Sequence, residues 1–341
     1  MPEAYETLLT PEQLEQLELD LIEILRAQGM AIEEIKLIGL KGSGDFSSVF
    51  AIDINGVHHV LKVYRLEESF QREIRHLRRQ IPKDRFFFVW SARRNRFNYF
   101  ITVIEVPDGN SLSERMLTPV VSENLGDVLL NLHSLKNTKR RVAVSDVKSM
   151  LEETRPWAIE HGGLFPAIGS ARIEEVIDAG LEYLDRHADK FRIRKSRTHN
   201  DLWWANLIVA EEDVYLIDWE NLGYDDYCRD LAFFRIMAYY ERSVAPVTMW
   251  DAEPDDALLD AFLKPILDLY PEAFNDDFFW ERYGFYALHW AMVNFGRALW
   301  GDRRGVKASM KIAQTGIRMF EDLCLSAEVF PTDSDGEHEV I

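Results

Sequence analysis

Two carboxylates and an amide stand close together in the largely apolar segment 198–221: Asp201, Asn206 and Asp218. Carboxylate and amide oxygens are ligands that Mg²⁺ prefers in proteins, and a carboxylate that does not bind the metal can act as a base. These residue types at this spacing therefore suit a hard-cation site with one general base. The alternative is a polar loop whose side chains cap backbone turns.

A β-hairpin would bring the three side chains together. Two apolar runs of four residues, 207–210 and 214–217, are separated by three acidic residues, which is typical of antiparallel strands joined by a polar turn. A symmetric turn predicts that Asn206 faces Asp218, with Cα atoms about 4.5–5.5 Å apart. Asp201 lies in the loop before the first strand, and it can reach the same end of the hairpin.

The charge of the chain limits its partners. The 341 residues carry a formal net charge of −19, whereas binding to nucleic acid phosphates requires clustered Lys and Arg. We therefore expect no nucleic acid partner, while a cationic small-molecule substrate is permitted but not required. A hydrophobic content of 47% and a charged content of 28% are those of a soluble globular protein, and the length suggests two lobes.

The sequence also predicts a compartment. Its two cysteines, Cys228 and Cys324, form no disulfide framework or metal-binding pattern, which favours a reducing environment. The first residues lack the basic and then apolar order of a signal peptide, and no run approaches the roughly 18 apolar residues of a membrane span. We therefore expect a cytoplasmic protein with no membrane partner.

Hydrophobic patterns divide the chain into a mainly β part and a mainly helical part. An amphipathic helix is predicted from Pro11 to near Gly29. Alternating apolar residues and the Asn55-Gly56 turn predict an N-terminal sheet, followed by a run of helices. The predicted strands are 33–40, 47–54, 57–64 and two within 85–106; the predicted helices are 66–80, 122–135, 171–191, 256–270 and 281–300. We expect lobes at 1–106 and 107–330 and a disordered acidic tail at 331–341.

Three glycines fall between two of the predicted strands: Gly39, Gly42 and Gly44. A glycine-rich turn lets backbone N–H groups approach phosphate oxygens, although a plain hairpin turn explains the glycines equally well.

A lysine and a glutamate follow in an order that suits phosphate binding. Lys62 lies on the opposite face of its strand from its apolar neighbours. It is either a lysine that protects the edge of the sheet or a cation that pairs with Glu73. Glu73 lies on or beside the apolar face of the predicted helix, where a lone carboxylate is costly without a partner. A glycine-rich hairpin, a strand lysine and a helix glutamate, in this order, hold nucleotide phosphates in kinases.

The two groups of residues together resemble a known family. HNDLWWAN at 199–206, followed by IDWENLGYDD at 217–226, resembles the catalytic segment of the aminoglycoside phosphotransferase and choline kinase-like superfamily of small-molecule kinases. FITVIEVPDGNSL at 100–112 and LGDVLLNLHSL at 125–135 are similar to its interlobe linker and the helix that follows. The resemblance covers about residues 30–320. It implies an α+β, bilobal protein-kinase-like fold, with a mainly antiparallel-sheet N-lobe and a mainly helical C-lobe.

The resemblance implies a role for each matching residue. Asp201 would be the base or would orient the attacking hydroxyl, while Asn206 and Asp218 would bind Mg²⁺. Lys62, paired with Glu73, would contact the α- and β-phosphates of ATP.

Other matching residues would support these. The phosphates would be covered by the glycine-rich turn: Gly42, Ser43, Gly44, Asp45 and Phe46. Backbone groups around Glu105 and Val106 would bind the adenine. His199 and Asp230 would brace the catalytic segment.

The acceptor is specified by fewer residues. Asn200 stands where glycine is common among the aminoglycoside enzymes, and its H-N-D form is closer to choline, ethanolamine and thiamine kinases. Trp203 either narrows the acceptor site or packs in the core. Tyr286 and Trp290, on a late predicted helix, either form a cage for a quaternary amine or flank the core. Glu220 follows the metal ligand, where it would attract a cationic acceptor.

We therefore predict an ATP- and Mg²⁺-dependent kinase that phosphorylates a hydroxyl of a small metabolite, with cationic acceptors such as choline, ethanolamine, thiamine or an aminoglycoside as candidates. The rival hypothesis is a kinase-fold protein that binds a nucleotide or metabolite without phosphate transfer. Asp201 argues against this rival because a pure binder does not need a base. A protein kinase is disfavoured because no A-P-E sequence follows Asp218.

Overall fold

The computed structural model describes residues 11–27, 31, 33–43, 47–64, 66–80, 87–91, 100–105, 109–134, 139–165, 167–244, 255–295 and 303–326. The chain divides into two compact units. Unit 1 comprises Met1–Gly109 together with Asp218–Leu222, and unit 2 comprises Asn110–Ile217 together with Gly223–Ile341.

Unit 1 contains, among its described residues, an antiparallel sheet of five strands. The strands are β1 (Ile35–Ser43), β2 (Ser47–Ile54), β3 (Val57–Tyr64), β4 (Phe87–Ser91) and β5 (Phe100–Glu105). They lie in the order β1-β2-β3-β5-β4, so β3 is the central strand. The predicted strands at 47–54 and 57–64 are confirmed with their bounds, whereas the first strand runs further than predicted, to Ser43.

Helices pack on the two faces of this sheet. They are α1 (Pro11–Ala27) and α2 (Glu67–Gln80). Leu61 and Val63 join an apolar cluster with three buried leucines of α1, whereas Tyr64 packs with Phe70 of α2. Because side chains alternate along a strand, Lys62 shares the face of Tyr64 and points towards α2. The predicted separation of Lys62 from its apolar neighbours is confirmed.

The β2–β3 turn holds the segment that enters β1. Asn55 and Gly56 adopt the left-handed conformation, with φ of 53° and 84°. The Asn55 side chain accepts hydrogen bonds from the backbone N–H of Glu33 (2.9 Å) and Glu34 (3.2 Å), and it donates one to the carbonyl oxygen of Ala31 (2.7 Å). The Asn-Gly pair therefore makes the predicted hairpin and also fixes the start of the sheet.

Unit 2 is mainly helical and carries short strands. Its helices are α3 (Pro119–Ser134), α4 (Val144–Gly162), α5 (Ser170–Arg186), α6 (Tyr227–Val244), α7 (Asp256–Phe274), α8 (Phe279–Phe295) and α9 (Arg303–Phe320). Its strands are β6 (Asn110–Ser111), β7 (Ser196–Thr198), β8 (Leu207–Ala210), β9 (Asp213–Leu216) and β10 (Gly223–Asp225). The four predicted helices of this region are present as α3, α5, α7 and α8, with shifted ends, and the mixed α+β class is confirmed.

Helix α8 forms the centre of the unit 2 core, and α9 packs closely against it. Thirteen of the 17 residues of α8 are buried. A Cβ atom on Gly316 of α9 would lie 2.2 Å from the Cβ atom of Ala291 and 2.8 Å from the carbonyl oxygen of Ala287. Only glycine therefore allows the two backbones to approach this closely.

The hairpin that carries the candidate residues has a different register from the predicted one. Ala210 pairs with Asp213 and Leu207 pairs with Leu216, so the turn has two residues rather than three. Glu211 makes this shorter turn with a left-handed φ of 57°. The prediction that Asn206 directly faces Asp218 is therefore wrong.

Two predictions concern other parts of the chain. The predicted acidic tail at 331–341 lies outside the described residues. Among the helices that the structure describes, none is long and apolar enough to cross a membrane.

Candidate functional site

The candidate residues of unit 1 gather around Lys62. This lysine lies on the central strand β3, which excludes the edge-strand interpretation, and its side chain is only 6% exposed. Its Nζ atom lies 3.0 Å from Oε2 of Glu73, 2.5 Å from Oδ1 of Asp218 and 3.4 Å from Oε2 of Glu220. The predicted pairing of Lys62 with Glu73 is thus confirmed, and two further carboxylates join it. We call Glu73, Asp218 and Glu220 the carboxylate cluster.

Local structure places the last two members of the cluster. Asp218 adopts the left-handed conformation (φ 62°, ψ 65°), which aspartate tolerates better than most residues, and it begins the 3₁₀ turn Trp219–Asn221. Nη1 of Arg72, on α2, donates a hydrogen bond to the carbonyl oxygen of Glu220 (3.1 Å). The hydroxyl of Ser47, at the start of β2, donates to Oε2 of Glu220 (3.4 Å). Helix α2 and strand β2 therefore hold this turn beside Lys62.

The electrostatics of the cluster favour a cation. Burial alone lowers the pKa of Lys62, but attraction to Glu73, Asp218 and Glu220 outweighs burial, so its pKa is raised and it remains an ammonium. Burial raises the pKa values of Glu73 and Glu220, and Lys62 offsets this only in part. With all groups ionised, three carboxylates and one ammonium carry a net charge of −2.

The donor set of the cluster fits Mg²⁺. One oxygen from each of the three carboxylates lies within 4.8 Å of the other two. Carboxylate oxygens are the hard ligands that Mg²⁺ requires. The excess negative charge is of the magnitude that one divalent cation would neutralise.

In unit 2, Asp230 organises the segment that carries Asp201. Strand β7 leads into this segment, and Asp230 lies in the first turn of α6. Its Oδ2 atom accepts a hydrogen bond from the backbone N–H of His199 (2.6 Å), and its Oδ1 atom accepts one from the backbone N–H of Asn200 (2.9 Å). The expected bracing of the segment by Asp230 is therefore present in the structure.

A buried histidine completes this support. Nε2 of His133, on α3, donates to Oδ2 of Asp230 (3.2 Å), and the hydroxyl of Tyr270 lies 2.7 Å from Nδ1 of His133. Burial alone raises the pKa of Asp230, but the hydrogen bonds and charges of His133 and His199 outweigh burial and lower it. Asp230 therefore stays ionised as an acceptor of three N–H groups.

The backbone of Asn200 explains one departure from the family pattern. Asn200 has a left-handed φ of 62°. Glycine adopts this conformation without strain, and asparagine adopts it more readily than most other residues. The position therefore accepts either residue for conformational reasons alone.

The candidate residues that follow are connected to one another. Nδ2 of Asn206 donates to the carbonyl oxygen of Asp201 (2.8 Å) and to its Oδ2 atom (3.2 Å). Because these hydrogen bonds use the amide nitrogen of Asn206, its amide oxygen is the acceptor atom of the side chain that they do not involve. Nε2 of His199 donates to the carbonyl oxygen of Ile217 (2.9 Å), whose own N–H donates to the carbonyl oxygen of Asn206 (2.9 Å). Ile217, the residue before Asp218, is thus held by hydrogen bonds to segment 199–206.

The residues predicted to contact the acceptor lie in varied surroundings. Trp203 is partly buried and packs on the unit 2 core, whereas Tyr286 is completely buried within it. Nε1 of Trp290 donates to the carbonyl oxygen of Arg229 (3.0 Å), and the Arg229 guanidinium lies 5.2 Å from a Trp290 ring centroid. Glu220 belongs to the carboxylate cluster. Their contacts with an acceptor remain predictions.

Part of the predicted nucleotide-binding set lies where the structure gives little detail. Gly42 and Ser43 form the end of β1, and Glu105 forms the end of β5. The remaining members lie outside the described residues: Gly44, Asp45, Phe46 and Val106.

Sequence reasoning missed three supporting residues. His133 is fully buried, and Ser47 and Arg72 both hold Glu220. The position of His133 on the apolar face of the predicted helix 122–135 was the available signal, because a buried histidine needs hydrogen-bond partners. The contacts of Ser47 and Arg72 join distant parts of the chain, and no local pattern indicates them.

Comparisons with known proteins assign the chain to a family. The family model of the phosphotransferase enzyme family (APH) matches residues 37–272, more than half of the chain. A search of curated proteins gives no significant match.

Several solved kinase structures resemble the chain. Aminoglycoside phosphotransferase APH(4)-Ia matches with a TM-score of 0.56 and 13% identity, covering 91% of this chain and 99% of that one. Choline kinase from Cryptosporidium parvum Iowa II matches with a TM-score of 0.61 and 14% identity, covering 92% and 97%. Plasmodium vivax ethanolamine kinase matches with a TM-score of 0.56 and 13% identity, covering 90% and 89%. These likenesses confirm the kinase-like fold, and from the family match we conclude that the chain belongs to the phosphotransferase enzyme family.

Proposed function

We propose that this small-molecule phosphotransferase transfers the γ-phosphate of ATP to a hydroxyl group of a small metabolite, with Asp201 as the base and Mg²⁺ as the metal. The observation that carries this proposal is the buried Lys62 ammonium, within 3.4 Å of the three members of the carboxylate cluster. Phosphoryl transfer depends mainly on positioning and charge neutralisation. A fixed lysine beside hard oxygen ligands supplies both.

Each residue around Lys62 has a defined task in this proposal. Lys62 binds the α- and β-phosphates, and Glu73 keeps its ammonium in place. Asp218 is a ligand of Mg²⁺, and the carboxylate of Glu220, in the same cluster, is a second oxygen ligand available to the metal. The bound metal offsets negative charge on the phosphate oxygens.

Asp201 acts on the acceptor. Its carboxylate orients the attacking hydroxyl and accepts its proton. Asn206 donates to both the backbone and the side chain of Asp201, so the carboxylate is held in one orientation. Asp230 fixes the preceding backbone through the N–H groups of His199 and Asn200. This preorganisation reduces the reorganisation that the transition state requires.

We assign two segments of the chain to nucleotide binding, by analogy with a similar solved structure and from their positions in the sequence. One solved structure of an APH(4)-Ia variant is a ternary complex with ADP and hygromycin B, at a TM-score of 0.54. In this chain we assign the glycine-containing segment 42–46 to the phosphates. We assign the backbone around Glu105 and Val106 to the adenine.

The acceptor that we favour is cationic. Similar structures include kinases of choline and ethanolamine and an aminoglycoside phosphotransferase. The chain has a formal net charge of −19, which attracts cationic molecules. We place the reaction in the cytoplasm, where the buried thiols of Cys228 and Cys324 stay reduced.

A direct assay tests this function. ADP release is measured with Mg²⁺ and ATP across choline, ethanolamine, thiamine, amino sugars, aminoglycosides and simple sugars. We expect turnover with one class and its near-complete loss in Asp201→Asn. Asp213→Asn, the same change at an exposed position of the β8–β9 hairpin, should keep full activity.

The same assay separates the rival function. Retained turnover in a folded Asp201→Asn protein would refute Asp201 as the base. ATP binding without turnover on any acceptor would favour a kinase-fold binding protein instead.

A further inference from the structure

Arg282, on α8, is almost completely buried and binds the junction between β10 and α6. We propose that Arg282 is a positioning residue for the phosphate transfer: it fixes this junction, from which two routes reach the segment that carries Asp201. The reaction in this proposal rests on the proposed function, whereas the contacts that carry it all lie within unit 2.

The guanidinium of Arg282 binds two carboxylates at once. Its Nε atom donates to Oδ2 of Asp226 (2.9 Å), and its Nη1 atom donates to Oδ1 of Asp276 (2.9 Å). Its Nη2 atom donates to the other oxygen of Asp276 and to the hydroxyl of Tyr227 (3.2 Å). A guanidinium presents its donors in a rigid planar fork, so these contacts determine the orientation of the bound carboxylates as well as their positions.

Asp226 lies where β10 ends and α6 begins. Its Oδ1 atom accepts a hydrogen bond from the backbone N–H of Cys228 (2.9 Å), and its carbonyl oxygen accepts one from the backbone N–H of Arg229 (3.1 Å). Asp226 therefore caps the N-terminus of α6 with one carboxylate oxygen, while Arg282 binds the other. The side chain is completely buried, so these donors take the place of water around its charge.

Two routes lead from Asp226 to the segment that carries Asp201. The first runs through α6, because Asp230 in its first turn accepts hydrogen bonds from the backbone N–H groups of residues 199–200. The second runs through β10, because Asp225 pairs with Ser196 of β7, the strand that leads into the same residues. A displacement of Asp226 would therefore move this segment through both of its supports.

The charges of the network favour positioning over simple packing. Arg282, Asp226 and Asp276 together carry a net charge of −1. Burial raises the pKa of Asp226, and the charge of Arg282 and the N–H group of Cys228 offset this only in part. Buried ion pairs of this kind add little stability compared with apolar side chains of similar volume. In this proposal the network instead specifies one arrangement of the backbone around it.

The test compares arginine, lysine and methionine at position 282 in the full-length protein. Lysine keeps the charge but lacks the planar fork, so it cannot hold both carboxylates in the same orientation. We expect kcat to fall by about tenfold in Arg282→Lys and by about a hundredfold in Arg282→Met, because small displacements of a catalytic group are costly. The KM for ATP should change by less than about twofold, since we assign the nucleotide to unit 1.

Arg235 provides a matched control in the same unit. Its side chain is 3% exposed and forms ion pairs with Asp256 and Asp260 of α7. Arg235→Lys and Arg235→Met should lower the free energy of unfolding but leave the kcat and KM of the folded protein unchanged. A difference between the two arginines therefore separates positioning from a general loss of stability.

Hydrogen exchange read by mass spectrometry gives a second measurement, which needs no acceptor. Exchange at residues 199 and 200 should be faster in the Arg282 variants and unchanged in the Arg235 variants. A wild-type kcat in Arg282→Lys would overturn the proposal, as would equal losses of kcat in the Arg282 and Arg235 variants. If Arg282→Met does not fold, Arg282→Lys decides the result by the same criteria.

The outcome is separate from that of the proposed function. If the wild type phosphorylated no acceptor, the proposed function would fail, but hydrogen exchange would still test the positioning, and unchanged exchange in Arg282→Lys would overturn it. If the wild type and Arg282→Lys turned over an acceptor equally well, only the positioning would be refuted.

Discussion

Replacing Asp230 by asparagine should disrupt unit 2 although the two side chains have the same shape. Both carboxylate oxygens accept from N–H groups: Oδ1 from Asn200, and Oδ2 from His199 and His133. An asparagine has one acceptor oxygen and one NH₂ group, so either orientation directs an NH₂ donor at another N–H donor. No rotation of the new side chain satisfies this position.

The expected cost is large because the group is fully buried. Hydrogen bonds to a charged group contribute about 1.5–3 kcal/mol each, and loss of one partner from a buried charged network costs about 3–5 kcal/mol. We expect Asp230→Asn to lower the free energy of unfolding by about 3–5 kcal/mol. Asp268→Asn is the control, because Asp268 pairs with Lys264 at the exposed surface, and it should cost less than about 1 kcal/mol.

Two measurements check this expectation. Urea denaturation gives the free energy of unfolding, and hydrogen exchange read by mass spectrometry should show faster exchange at residues 199 and 200. The lowered pKa of Asp230 gives the sign of the pH dependence. Its stabilisation is present above the unfolded-state pKa of about 3.9 and is lost as pH falls through the lower folded-state pKa. A loss below about 1 kcal/mol at neutral pH would refute the reasoning.

Two further predictions concern helix α8. Gly316→Ala places a methyl group 2.2 Å from the Cβ atom of Ala291, so we expect the free energy of unfolding to fall by about 1–3 kcal/mol. Denaturation measures this change, and an unchanged value would contradict the close approach of α8 and α9. Burial lowers the pKa of His289 to about 3, whereas the pKa in the unfolded state is about 6.5. Below pH 6.5 the unfolded state therefore binds the proton more readily than the folded state. The free energy of unfolding should fall by up to about 1.4 kcal/mol per pH unit as the pH decreases from 6.5 towards 3. His289→Leu should flatten this part of the pH profile of stability, and an identical profile in the variant would refute the assignment.

The parts of the fold that the sequence predicted are those with local signals. Strands β2 and β3 follow from their alternating apolar residues and from the Asn55-Gly56 turn, which adopts the left-handed conformation that such a pair favours. The pairing of Lys62 with Glu73 follows from the cost of burying either charge alone.

The parts that were missed depend on distant contacts or on weak patterns. Helix α9 was not predicted although it is amphipathic, because small and polar residues such as Ser309, Thr315 and Gly316 make up part of the face that it turns to the core. Helix α4 contains Pro156, and a proline in the middle of a segment argues against a helix when only the neighbouring residues are considered. The register of the β8–β9 hairpin depends on the left-handed backbone conformation of Glu211. A glutamate in the sequence does not predict this conformation.

The assignment of Asp218–Leu222 to unit 1 has a consequence for synthesis on the ribosome. Lys62 and Glu73 emerge early, but Asp218 and Glu220 emerge only when about two thirds of the 341 residues have been made. Until then the nascent N-terminal sheet holds its buried lysine with one of its three acidic partners. A gene fragment that ends at Gly109 would lack Asp218–Leu222, so unit 1 cannot be obtained whole by truncating the chain between its two units.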